Sequence, residues 1–180
     1  MKWYGSPNMS QNIAYIDGAN LHKGTEDLGW KLDYRKFRVW LTEKYSVGVA
    51  KIFIGKVPEF KSIYKNLRNA GFVISFKTIR RGKGGAIKGN CDSELIVTTM
   101  TDYYEHQREK VVIVSSDGDF SSLANFLKKR GVIVYIVSPR NSCSLLLKRL
   151  NISILYLDTQ RNILELSLQN EKALDGDETP

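Results

Sequence analysis

Residues 111–123 constrain this chain more than any other stretch. Val111-Val112-Ile113-Val114 is a run of four β-branched apolar residues, and a run without polar alternation reads as a strand covered on both faces. It leads directly into Ser115-Ser116-Asp117-Gly118-Asp119-Phe120, where the strand should end and a helix begin. In open parallel sheets ligands collect beyond the carboxyl ends of the strands, so Asp117 and Asp119 stand where chemistry is usually placed. The same residues also suit an ordinary N-cap, in which a side-chain oxygen accepts a backbone N–H. What else the chain brings to this place separates the two readings.

A second stretch has the same design. Asn12-Ile13-Ala14-Tyr15-Ile16 is an apolar strand that runs into Asp17-Gly18-Ala19-Asn20, with Gly18 expected to permit a sharp turn. If the two strands are neighbours, Asp17, Asp117 and Asp119 crowd into one volume, where like charges resist ionising together unless a cation compensates them. A hard divalent metal is the simplest compensation.

The rest of the chain follows a strand–helix rhythm. Leu21–Trp30 reads as a short helix or loop, and Asp33 opens a helix carrying Phe37, Trp40 and Leu41 at helical spacing. Val49–Val57 is a strand, Pro58 opens a helix closed by Gly71, and Phe72–Phe76 is a third strand. A helix from Asn90 or Cys91 to about His106 bears Asp92 and Glu94 in its first turn, where acids also suit the helix dipole. After the organising strand come a helix from Phe120 to Arg130, a strand Val132–Val137, a short helix Ser144–Leu150, and a sixth short strand at Ile152–Leu157. This alternation predicts parallel βαβ units with right-handed crossovers, hence a three-layer α/β sandwich around a mainly parallel sheet of five or six strands. Residues 1–11 are an extension and 12–158 the domain. The remainder, 159–180, is a helix around Leu164–Leu174 with a disordered acidic end.

Between the third strand and the following helix, Lys77, Arg80, Arg81, Lys83 and Lys88 are interleaved with four glycines. The pattern is not a Walker loop, since GxxxxGK[ST] does not match. It reads as a mobile loop beside the acids, able to hold a phosphate backbone through Arg80, Arg81, Lys83 and Lys88, with Lys23 and Arg140 as weaker cations. The formal net charge of +8 is unevenly spread: the last twenty residues hold two basic and five acidic side chains, so the body carries all of the excess. A basic body favours a polyanionic partner, nucleic acid above all. Cys91 and Cys143 lack any CxxC spacing, which excludes a disulfide framework and a zinc site. No apolar run approaches the roughly 20 residues a membrane helix needs, so a cytoplasmic protein is expected, with no membrane partner and a homo-oligomer left open.

Three motifs in order resemble the NYN domain family of the PIN-like nucleases: Ile16-Asp17-Gly18-Ala19-Asn20, Lys88-Gly89-Asn90-Cys91-Asp92-Ser93-Glu94-Leu95, and Ser116-Asp117-Gly118-Asp119-Phe120 followed by Gly131. The likeness spans about residues 12–158. It implies the strand order 3-2-1-4-5, with strands one and four side by side, and metal-dependent RNA cleavage with Asp17, Asp92, Asp117 and Asp119 around Mg²⁺ or Mn²⁺. Asn20 and Ser116 would orient the scissile phosphate or a water. The chain departs from the pattern at Thr98, where many relatives carry a further acid, and at Leu150-Asn151, where an acid is also frequent. Glu94 is the candidate to replace the missing acid, although two positions from Asp92 it faces another side of a helix. An aspartyl phosphatase is disfavoured because Asp17-Gly18-Ala19 supplies no DxD. The rival expectation is a catalytically silent RNA-binding or regulatory module of the same fold.

Overall fold

The computed structural model describes residues 12–77, 92–106 and 109–167, together with the backbone of Arg80–Arg81 and Ile87–Lys88. One sheet holds β1 (Asn12–Asp17), β2 (Val47–Gly55), β3 (Val73–Lys77), β4 (Lys110–Val114), β5 (Ile133–Ser138) and β6 (Ser153–Tyr156), in the order 3-2-1-4-5-6. Every neighbouring pair is parallel. β1 and β4 lie together at the centre, with Ile16 in register with Val114, so their acidic continuations leave the sheet side by side.

The apolar runs of these two strands are divided residue by residue between two cores, because successive side chains of a strand point to opposite faces. Ala14, Ile16, Val112 and Val114 pack on one face with Leu21 of α1 (Gly18–Asp27), Phe37, Trp40 and Leu41 of α2 (Tyr34–Tyr45) and Leu67 of α3 (Lys61–Asn69). Ile13, Tyr15, Val111 and Ile113 pack on the other with Leu95 of α4 (Asp92–His106), Leu123 and Leu127 of α5 (Ser121–Lys129) and Leu147 of α6 (Leu145–Lys148). Burying one Val or Ile stabilises by roughly 1.5–3 kcal/mol. A one-residue slip would reverse the faces of a whole strand, so the register of the central pair is tightly held.

Several local expectations change. α1 begins at Gly18, straight after Asp17, rather than at Leu21. Gly18 is required for space and not for a sharp turn: a Cβ there would stand 2.9 Å from the Phe53 carbonyl oxygen and 3.2 Å from Ile52 Cγ1. The stops at Gly71 (φ +91°) and Gly131 (φ +82°) do use the left-handed region. Pro58 opens a 3₁₀ turn, Pro58–Phe60, that leads into α3. Of the helix expected at Leu164–Leu174 the described residues reach only to 167, and they are not helical beyond Leu164. α7 is Arg161–Leu164, and Glu165 is already extended and bridged to Leu32, while Leu166 N donates to the Lys31 carbonyl at 2.8 Å. Leu164 is a buried anchor for this return strand, and one anchoring leucine mimics the start of an apolar helical stripe. Residues 168–180 lie outside the described residues. The basic loop contains structure too: Arg80–Arg81 pairs antiparallel with Ile87–Lys88. Among the described residues no helix is long and apolar enough to cross a membrane.

Candidate metal centre at the strand ends

Three carboxylates converge at the carboxyl edge of β1 and β4. Asp92, the first residue of α4, Asp117, just past β4, and Asp119, two residues on, each place one oxygen within 4.8 Å of the others. Asp17 sits beside this trio and is buried. Its carboxyl is pushed up from the ordinary value, first by burial and then by the charge of Asp117. Asp92 is pushed up to about 6, first by burial and then by the charges of Asp17, Asp117 and Asp119, with Lys77 opposing the rise. Among the described residues no lysine or arginine forms an ion pair with Asp117 or Asp119. Hard oxygen donors whose mutual repulsion is incompletely balanced are the donor set that Mg²⁺ or Mn²⁺ takes, so the residues present fit such an ion.

Capping and clustering coexist here. Asp17 caps α1, its Oδ1 accepting from Asn20 N at 3.0 Å, while Oδ2 faces Ser115 Oγ at 3.5 Å. Asp117 caps the 3₁₀ turn Gly118–Phe120 by accepting from Asp119 N at 3.1 Å. Each cap fixes one oxygen of its carboxylate and thereby aims the other, so the bland reading of these acids is part of how the cluster is built.

The two acidic loops are tied together by hydrogen bonds across the strand ends. Asn20 Oδ1 accepts from Ser116 N at 3.1 Å and from Ser116 Oγ at 3.0 Å. Ser115 Oγ, fully buried, accepts from Asp117 N at 3.1 Å and reaches toward Asp17. Ser115 is a positioning residue that sequence reasoning missed; its signal was the serine doublet before Asp117, of which only Ser116 was singled out.

The remaining candidates are distributed differently. Glu94 does not join the trio: Lys77 Nζ, at the end of β3, holds its Oε2 at 3.1 Å and lowers its carboxyl below the ordinary value. This pairing turns Glu94 to Lys77 and places a lysine at the rim of the cluster. Thr98 is half-buried in α4. Asn151 adopts a left-handed turn (φ +49°), and its carbonyl and that of Leu150 accept from Lys128 Nζ. Lys23 and Arg140 both turn to Asp27, at 3.5 and 3.9 Å. The side chains of Arg80, Arg81 and Lys88, and all of Lys83, lie outside the described residues.

A different acid of α4 was overlooked entirely. Asp102 is buried, and its Oδ2 accepts from Tyr15 Oη at 2.8 Å and from Lys51 Nζ at 2.6 Å, which binds α4 to β1 and β2 beneath the site. Only the register Tyr15↔Lys51 across the parallel pair makes this cluster visible.

The fold is shared with a known structure. A protein of unknown function from Vibrio parahaemolyticus shares the fold, with a TM-score of 0.72 and 22% identity over 89% of this chain and 99% of its own. A glycotransferase of kitacinnamycin aligns at a TM-score of 0.34 and 10% identity, over 72% of this chain and 30% of its own. No curated protein matches the chain. The NYN domain matches residues 13–154, which runs from β1 into the start of β6 and takes in every carboxylate of the cluster, and the chain belongs to the NYN domain family.

Proposed function

We propose that this chain is a metal-dependent ribonuclease that hydrolyses RNA phosphodiester bonds in the cytoplasm. The observation that carries the reading is the convergence of Asp92, Asp117 and Asp119 within 4.8 Å at the strand ends of an NYN domain. These three would hold a divalent cation, with Asp17 as the buried fourth acid. Such an ion, when bound, supplies Lewis acidity at a phosphate oxygen and lowers the pKa of water. The chain's own residues then have separate tasks. Asn20 has its carbonyl oxygen committed to Ser116, so its Nδ2 is the group that can hold a phosphate oxygen, while Ser116 acts as the brace. Lys77 stands at the acid rim through its pairing with Glu94, and Arg80, Arg81, Lys83 and Lys88 of the basic segment are the cations proposed to hold the phosphate backbone. Thr98, which lacks the carboxylate of many relatives, favours a second reading, a silent RNA-binding module.

Incubating the purified protein with single-stranded and structured RNA, with and without Mn²⁺ or Mg²⁺, tests the proposal. Metal-dependent product that disappears in Asp117→Asn supports it. RNA bound by both proteins and cut by neither supports the silent module.

A further inference from the structure

α6 presents two adjacent leucines to solvent beside the acid cluster. Leu145 is 64% and Leu146 52% exposed, while Leu147 is fully buried and anchors the helix. Single exposed apolar residues need no explanation, but this pair is built against the loop that carries Asp117 and Asp119. Ser144 N donates to the Ser116 carbonyl at 3.1 Å, and Ser144 Oγ accepts from Leu146 N at 3.3 Å. Contact is close enough that a Cβ on Gly118 would stand 2.5 Å from Ser144 Oγ and 3.2 Å from Leu146 Cδ1. Lys148 and Arg149, both exposed, follow on the same short segment.

We propose that Leu145 and Leu146 form an apolar platform on which an unpaired base of the RNA packs, making the site selective for single-stranded segments. This rests on RNA being the substrate. A base in a duplex has both faces covered by its neighbours, so only an unstacked nucleotide can offer a face to an apolar side chain. Leucine is among the apolar side chains that proteins insert against partly unstacked bases in DNA. Lys148 and Arg149 lie where the flanking phosphates of such a strand would need cations.

The test is fluorescence anisotropy in the Asp117→Asn background with Mg²⁺ present, so that RNA stays intact. It compares Leu145→Ser/Leu146→Ser with the leucine parent on single-stranded RNA and on a duplex of equal length. Both leucines are exposed, so the double variant should fold. We expect binding of the single strand to weaken roughly fivefold and duplex binding to change less than twofold. Equal weakening on both RNAs, no weakening, or a parent that binds no RNA overturns the platform. A loss that tracks a fall from dimer to monomer by sedimentation also overturns it, since the leucines then hold a second copy. Leucine-dependent binding, together with an unsubstituted protein (Asp117 intact) that never cleaves with Mn²⁺, sinks the nuclease reading and leaves this inference standing; cleavage by the unsubstituted protein with leucine-independent binding does the reverse.

Discussion

α4 carries two acids that meet opposite fates. Near its carboxyl end, Asp102 is buried against a lysine ammonium and a tyrosine hydroxyl, so its charge is matched inside the fold. At its first turn, Asp92 faces Asp17, Asp117 and Asp119, and its carboxyl is pushed up to about 6. One acid is satisfied by the chain and holds the helix to the sheet. The other faces three carboxylates, whose charge together with burial outweighs the opposing effect of Lys77, an arrangement that disfavours its ionised form unless a ligand offsets it. Burial alone does not separate structure from function here; what each carboxylate faces does.

Four substitutions should break or sharpen this contrast. The largest effect is expected at Asp117→Asn: RNA cleavage should fall by about 10³-fold, equivalent to about 4 kcal/mol of transition-state stabilisation, with no loss of thermal stability. Product formation and melting on the same preparation check both halves. Asp102→Ala should do the opposite. Removing one partner of a buried ion pair costs about 3 kcal/mol here, since Lys51 keeps some access to water, and the melting temperature should fall by about 6–12 °C. Asn20→Ala falls between the two, because it strips the acceptor from Ser116 N and Oγ; about 1–2 kcal/mol of stability should be lost together with roughly tenfold in cleavage.

The smallest effect belongs to Asp92→Asn, and its sign is diagnostic. A carboxyl whose folded pKa is raised binds more protons in the folded than in the unfolded state between about 3.8 and 6. Its contribution to stability therefore declines as pH rises through that window, and the full cost stands above it. With solvent screening allowed for, Asp92→Asn should stabilise the metal-free protein by about 1 kcal/mol at pH 7.5 and by almost nothing at pH 4. Melting curves of the two proteins across that range check the trend.

Much of the architecture was legible because it rests on periodicity and punctuation. The unbroken apolar runs of β1 and β4 announced strands covered on both faces, and Gly71 and Gly131 marked helix ends that the backbone indeed turns in the left-handed region. Asp92, Asp117 and Asp119 were legible as a group only through motif order, since Asp92 lies 25 positions from Asp117 and nothing local joins them. Pairings decided by tertiary register were hidden. Lys77 captures Glu94 because β3 ends beside the first turn of α4. Asp102 carried no signal of its own, because only the register of Tyr15 with Lys51 brings its two partners together. The extended turn of the chain at Glu165 was hidden for the same reason, since Leu164 is buried as a single anchor before it.

The most direct test of the contrast is a melting experiment at pH 7.5 with increasing Mn²⁺, on the parent protein and on Asp117→Asn. Ligand that binds only the folded state raises its stability by mass action, by about 2.7 kcal/mol at a hundredfold excess over Kd. The account predicts a saturable rise in melting temperature for the parent and little or none for Asp117→Asn. Equal shifts in both proteins, or no shift in either, would show that these carboxylates are not arranged to hold a cation.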